Sequence, residues 1–153
     1  MGKHLIISTA AITAACLGSG ISVSIALGSP ATTTTDDARP SYGRCGTGPR
    51  VNCIVDGDTL WSNGVKIRVA DIDTPEISQP NCAAEKALGE QATLRLIELV
   101  NIGPFAILAW RNRDKDRNGR ELRVLVRGGR SLGDILVSEG LARTWTGRRQ
   151  PWC

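Results

Sequence analysis

The chain has 153 residues, 41% of them hydrophobic, 22% charged and 4% aromatic, which fits one domain and excludes a disordered or fibrous chain. Nineteen Lys and Arg against fifteen Asp and Glu leave a formal charge of +4, and 15 of the basic residues are Arg. Arg is the better bidentate partner for phosphate, so a polyanionic substrate is permitted. Five Cys and a single His argue against a zinc site, which needs four clustered ligands.

In chain order, Lys3 and His4 precede an uncharged, largely apolar run from Leu5 to Leu27. That run is long enough for a membrane span of about 20 residues. Residues 1–28 therefore read as a signal peptide or an N-terminal membrane anchor. Either implies export, with the body periplasmic, extracellular or anchored facing outward. Residues 29–40 are rich in Thr, Pro and Asp without periodicity and read as a flexible linker. The folded domain is expected over residues 41–153, where seventeen basic and thirteen acidic side chains carry the whole net charge. Cys16 lies in the apolar run. Cys45, Cys53, Cys82 and Cys153 form an even set in a chain that reads as exported, so two disulfides are expected, with three possible pairings.

Punctuation and period predict the elements. Val51–Asp56 and Thr59–Trp61 are apolar and β-branched, broken at Gly57. Ser62-Asn63-Gly64 is a hairpin signal, and Val65, Ile67 and Val69 alternate with Lys66 and Arg68. Ala83–Val100 reads as a helix with Ala84, Leu88, Ala92, Leu96 and Leu99 on one stripe, ended by Gly103-Pro104. Phe105–Trp110 and Leu122–Val126 are strands about an Asn118-Gly119 turn, and Ser131 caps a short helix closed by Gly140. Five short strands with an interposed helix suit a mainly β fold with two helices, a five-stranded OB-type barrel.

Four polar clusters interrupt this pattern: Asp56-Gly57-Asp58-Thr59, Arg68 to Glu76, Asp114 to Arg120, and the tail pair Arg148-Arg149. Each has a bland explanation as a turn, a loop, a hairpin or a solvated end. Asp114-Lys115-Asp116-Arg117-Asn118-Gly119 copies half an EF-hand loop, but Leu125 stands where that loop needs a bidentate Glu, so it is rejected. Together the clusters make a chemical case. Asp58 and Asp73 supply carboxylates for a hard cation such as calcium. Arg68 and Arg120 could bond a phosphate whose negative charge grows during hydrolysis. Glu76 could take a proton from the attacking water. Arg68 and Asp73 are five residues apart, so in a straight strand they would face opposite ways; a shared site requires the strand to bend or end between them.

These residues resemble the thermonuclease, or staphylococcal-nuclease-like, family over about residues 52–145. The matching motifs are VDGDTL at Val55–Leu60, IRVADIDTPE at Ile67–Glu76, DRNGR at Asp116–Arg120 and EGLA at Glu139–Ala142. The resemblance implies an OB-type barrel that hydrolyses DNA and RNA phosphodiesters with calcium. It implies Asp58 and Asp73 as calcium carboxylates, Thr74 as the donor of a backbone carbonyl to that ion, Glu76 as general base, and Arg68 and Arg120 as phosphate-binding groups. Asn118 stands where the family often has Tyr, and the chain ends soon after the second helix. Trp145 or Trp152 could replace a base-stacking surface worth about 1–3 kcal/mol per base, or could simply pack in the core or against a disulfide. The expectation is an exported, calcium-dependent, monomeric nuclease of little sequence specificity acting on DNA and RNA, touching membrane only through residues 1–28 if they are retained. The competing readings are a non-catalytic OB-fold module binding nucleic acid or protein, and an extracellular structural domain.

Overall fold

Three antiparallel strands form the centre of the fold: β2 (Cys53–Asp56), β3 (Thr59–Ser62) and β4 (Val65–Val69), joined by the turns the sequence signals. The computed structural model describes residues 39–111 and 113–153. The signal or anchor segment, Cys16 and the linker up to residue 38 lie outside the described residues. A short β1 (Gly43–Arg44) runs parallel to β2. After β4, the chain turns, forms β5 (Ile72–Asp73) and enters α1 (Ala83–Ile102). Strand β6 (Ala106–Ala109) then pairs antiparallel with β7 (Glu121–Arg127), which lies parallel to β4. Strand β8 (Arg130–Ser131), α2 (Leu132–Ser138) and β9 (Arg143–Thr144) complete the order. The main sheet runs β1-β2-β3-β4-β7-β6 with β8 on β7, and β5 pairs with β9 in a second, two-stranded sheet.

The predicted strands and both helices are present, in a mixed α/β arrangement that is mostly sheet. Strands β1, β5, β8 and β9 were not predicted. Each is two residues long, too short to show a period. The core lies where Ile54, Leu60, Ile67, Val69 and Leu125 of the sheet meet Leu96, Leu99 and Val100 of α1 and Leu132 and Leu136 of α2. Edge strand β6 is exposed along its whole length.

The stripe of α1 needs correction at its N-terminal end. Ala84 is exposed and Leu88 half-buried, while Glu85, Gly89, Ala92, Thr93, Leu96, Leu99 and Val100 are buried. The reason is a close approach. A Cβ at Gly89 would sit 2.6 Å from the Pro75 carbonyl oxygen, so the helix can lie against the 74–77 loop only where a side chain is missing. Two disulfides form, Cys45–Cys53 and Cys82–Cys153. Cys45–Cys53 ties the segment after β1 to the start of β2. Cys82–Cys153 ties the N-cap of α1 to the end of the chain. No helix among the described residues is long and apolar enough to cross a membrane.

Candidate active site

The strand carrying Arg68 ends one residue later, and the chain turns at Ala70-Asp71 before β5 delivers Asp73. The condition set by their spacing is therefore met by a bend. Arg68 Nη1 lies 2.8 Å from Asp58 Oδ2, and Arg68 Nη2 lies 3.5 Å from Asp73 Oδ1. All three side chains are almost wholly buried. Asp58 follows a register shift between β2 and β3 that falls between Ile54 and Asp56. A Cβ on Gly57 would meet Ala92 Cβ at 2.8 Å and Thr74 Cγ2 at 3.0 Å, so its absence lets the Asp58 turn seat on Thr74 and α1.

Thr74 completes this inner shell. Its backbone N–H and its hydroxyl both donate to Asp58 Oδ2, at 3.0 and 2.9 Å. Thr59 donates to Asp58 Oδ1 at 3.2 Å. Asp58 is thus a buried carboxylate with one guanidinium and three further donors, as a buried charge requires.

Arg120 comes from the other side of the cleft. The Asp116–Gly119 turn, which alone would be a solvated hairpin, is organised by the Asp116 carboxylate. It accepts from the backbone N–H of Asn118 at 2.8 Å and of Arg120 at 2.9 Å, and from Arg120 Nε at 2.7 Å. Burial opposes ionisation of Asp116, but the Arg120 side chain and these N–H groups outweigh it and hold its carboxyl below the usual range. Arg120 Nη1 then reaches Thr59 Oγ1 at 3.4 Å. Asp116 is the orienting partner of Arg120; sequence reading placed it in the DRNGR motif but gave it no role of its own, and its place four residues before Arg120 was the available signal.

Glu76 lies where the 74–77 loop meets the N-terminus of α1. Buried Glu85 holds that loop: one carboxylate oxygen accepts from Glu76 N at 3.3 Å, the other from Asn81 N at 2.6 Å and Asn81 Nδ2 at 3.0 Å. The Asn81 N–H is the largest reason that the Glu85 carboxyl is held below its usual range, against the cost of burial.

The tail differs most from expectation. Arg149 is not a solvated end. Its guanidinium spans Asp73 Oδ1, with Nη2 at 2.9 Å and Nε at 3.1 Å, and donates from Nη1 to Glu76 Oε1. Three contacts bring it there: the Cys82–Cys153 bond, a 3.4 Å hydrogen bond from Trp152 Nε1 to Asp73 Oδ2, and Arg143 stacked 3.8 Å over the Trp152 ring. Trp152 packs beside the disulfide, whereas Trp145 lines the cleft together with Trp110, which sequence reading passed over.

Asp58, Arg68, Asp73, Glu76 and Arg120 thus line one cleft of about 730 Å³. Arg113, Arg117, Arg148 and Arg149 add further positive charge to its walls, and Asp56 and Asp116 add acids. Thr74 stays beneath this lining, against Asp58. Burial, with the Asp58 charge beside it, pushes the Asp56 carboxyl up to about 7. Burial also raises Asp73 above its usual range; Arg149 and Arg68 offset only part of this, and the Asp58 charge adds to it. Asp58 and Asp73 offer only oxygen donors from neighbouring strand ends, a set that fits a hard cation such as calcium or magnesium. Among the described residues no three His, Cys, Asp or Glu side chains close on one point. A cation here would need carbonyl or water oxygens besides Asp58 and Asp73.

Comparison with known proteins agrees with this geometry. Residues 66–151 match the staphylococcal nuclease homologue family. That span includes Arg68, Asp73, Thr74, Glu76, Arg120 and Arg149, with Asp58 just upstream. The chain is 38% identical over 93 residues to "Endonuclease YncB" of Bacillus subtilis, covering 58% of this chain and 44% of that protein. It is also 38% identical over 93 residues to "SPbeta prophage-derived endonuclease YokF" of the same organism, covering 31% of that protein. The match therefore spans less than half the length of either relative. With more than half of its residues matched, and with the matched motifs converging on one polar cleft, the chain belongs to the staphylococcal nuclease homologue family.

Proposed function

We propose that the protein is a calcium-dependent nuclease that hydrolyses DNA and RNA phosphodiesters with little sequence specificity. The observation that carries this reading is the single cleft lined by Asp58, Arg68, Asp73, Glu76 and Arg120, drawn from four separate segments. In this reading Asp58 and Asp73, with the Thr74 backbone carbonyl, hold the cation. When bound, calcium neutralises phosphate charge and orients the attacking water. Arg68 and Arg120 bond the non-bridging phosphate oxygens as charge builds on them. Glu76 accepts a proton as the water oxygen bonds to phosphorus and the bond to the leaving oxygen breaks. The Arg-rich walls track the phosphate backbone without reading bases, which suits low specificity.

The meander β2–β4, continued through parallel β7 to β6, supports a partly open OB-type barrel as the scaffold. Two disulfides favour an oxidising compartment and hence export by residues 1–28, either cleaved or kept as an anchor. The working form in this reading is a monomer.

One observation favours a second reading, a non-catalytic module that binds nucleic acid or protein: Glu76 and Asp73 are both engaged by Arg149. Cleavage of denatured DNA and of RNA, with calcium or with chelator, separates the two. Activity should require calcium, and Glu76→Gln should lower kcat by about 10²–10⁴ while leaving the melting temperature unchanged. Wild-type cleavage that persists undiminished in chelator would remove the metal from the scheme, and tight binding without cleavage would favour the module.

A further inference from the structure

Arg149 has a position that the reaction as proposed does not use. Its guanidinium sits on Asp73 Oδ1, the same oxygen that Arg68 approaches, and its other arm holds Glu76. The Arg149 side chain is 43% exposed, so the sheet does not hold it. It is held by the strap that follows β9. Gly147 turns the chain with a φ of 97°. Arg143 Nη1 then grips the Pro151 carbonyl at 2.9 Å and stacks on Trp152, and Cys153 is bonded to Cys82 at the start of α1. A charge on a tethered strap is present at a high effective concentration whatever the solution contains.

We propose that Arg149, held by the Cys82–Cys153 strap, is a built-in counter-ion that competes with a divalent cation for Asp73, so that the strap sets the site's affinity for that cation. The inference rests on the reading of Asp58 and Asp73 as cation ligands. Its physical basis is direct. A cation on Asp73 Oδ1 must displace the guanidinium or share that oxygen with it, and a cation on Oδ2 of the same carboxylate still lies close to it; like charges at such range repel. Arg68 does not have this freedom, because it is buried and also bonded to Asp58 and to the Val69 carbonyl. The strap charge is the adjustable one.

The test is calorimetric titration with calcium chloride of wild type, Arg149→Ala, Arg149→Lys and the double variant Cys82→Ser/Cys153→Ser, with DNA cleavage followed in parallel. Arg149→Ala should bind calcium roughly tenfold more tightly, since one nearby positive charge is gone. Arg149→Lys, which keeps the charge, should stay near wild type. The double variant should fall between, because Arg149 is then present but untethered. Equal or weaker calcium binding by Arg149→Ala overturns the proposal, as does equal tightening by the Ala and Lys variants. No measurable calcium uptake by wild type and Arg149→Ala alike also overturns it. Absence of cleavage by every protein, with the calorimetric shift intact, would instead sink the nuclease reading and leave the competition standing.

Discussion

Arg68 and Arg149 meet at the same carboxylate oxygen of Asp73 but arrive by opposite routes. Arg68 rides on β4, whose register with β3 and β7 fixes it, and its side chain is only 11% exposed. Arg149 rides on a strap outside the main sheet, at 43% exposure, and a covalent bond does what register does for Arg68. The contrast teaches where a charge can be varied. A guanidinium built into a sheet also holds the fold, because removing it takes the buried positive charge from Asp58 and one of two from Asp73. One on a tethered tail can change without disturbing the core.

Substitution separates the two most sharply. Arg68→Ala leaves Asp58 and Asp73 short of a buried partner and should cost about 3–5 kcal/mol in urea unfolding. It should also cut kcat by about 10²–10³ if Arg68 donates to the phosphate as proposed. Arg149→Ala should leave unfolding close to wild type; an Arg149→Ala protein as unstable as Arg68→Ala would erase the distinction. Next in size is Gly89→Ala, which pushes a Cβ into the Pro75 carbonyl. It should destabilise by about 1–3 kcal/mol through overpacking and shift the loop that carries both Thr74 and Glu76. A melting temperature equal to wild type would mean that the loop yields freely.

The smallest effect is acid sensitivity on the strap side. The folded state holds the Glu85 carboxyl below its usual 4.5, chiefly through the Asn81 N–H. Its contribution is therefore fully present above pH 4.5 and is lost as pH falls through the lowered folded value. Glu85→Gln should flatten that part of the stability curve, measured by urea midpoints from pH 6 downward. An unchanged slope would show that other carboxylates govern it.

Much of the fold was legible because its signals are local. The Asn63-Gly64 hairpin, the Ser131 cap and the apolar runs that became β2, β3, β4 and β7 are all set by neighbours within a few residues. The stripe of α1 failed at Ala84 and Leu88 because burial there depends on the 74–77 loop, a partner the helix pattern does not name. The candidate site was legible in part. Asp58, Arg68, Asp73, Glu76 and Arg120 stand in recognisable motifs, but Asp116, Glu85 and Arg149 act through partners found only on folding.

Motif chemistry and short-range periodicity thus determined which side chains could do chemistry and which elements would carry them, since turns, caps and alternation depend on nearby residues. Tertiary structure alone decided the disulfide pairing, the bend that lets Arg68 and Asp73 share a pocket, and the return of the tail to the cleft. Those contacts join residues far apart in the chain, and long-range closure is governed by packing and covalent tethering, which leave no period in a sequence.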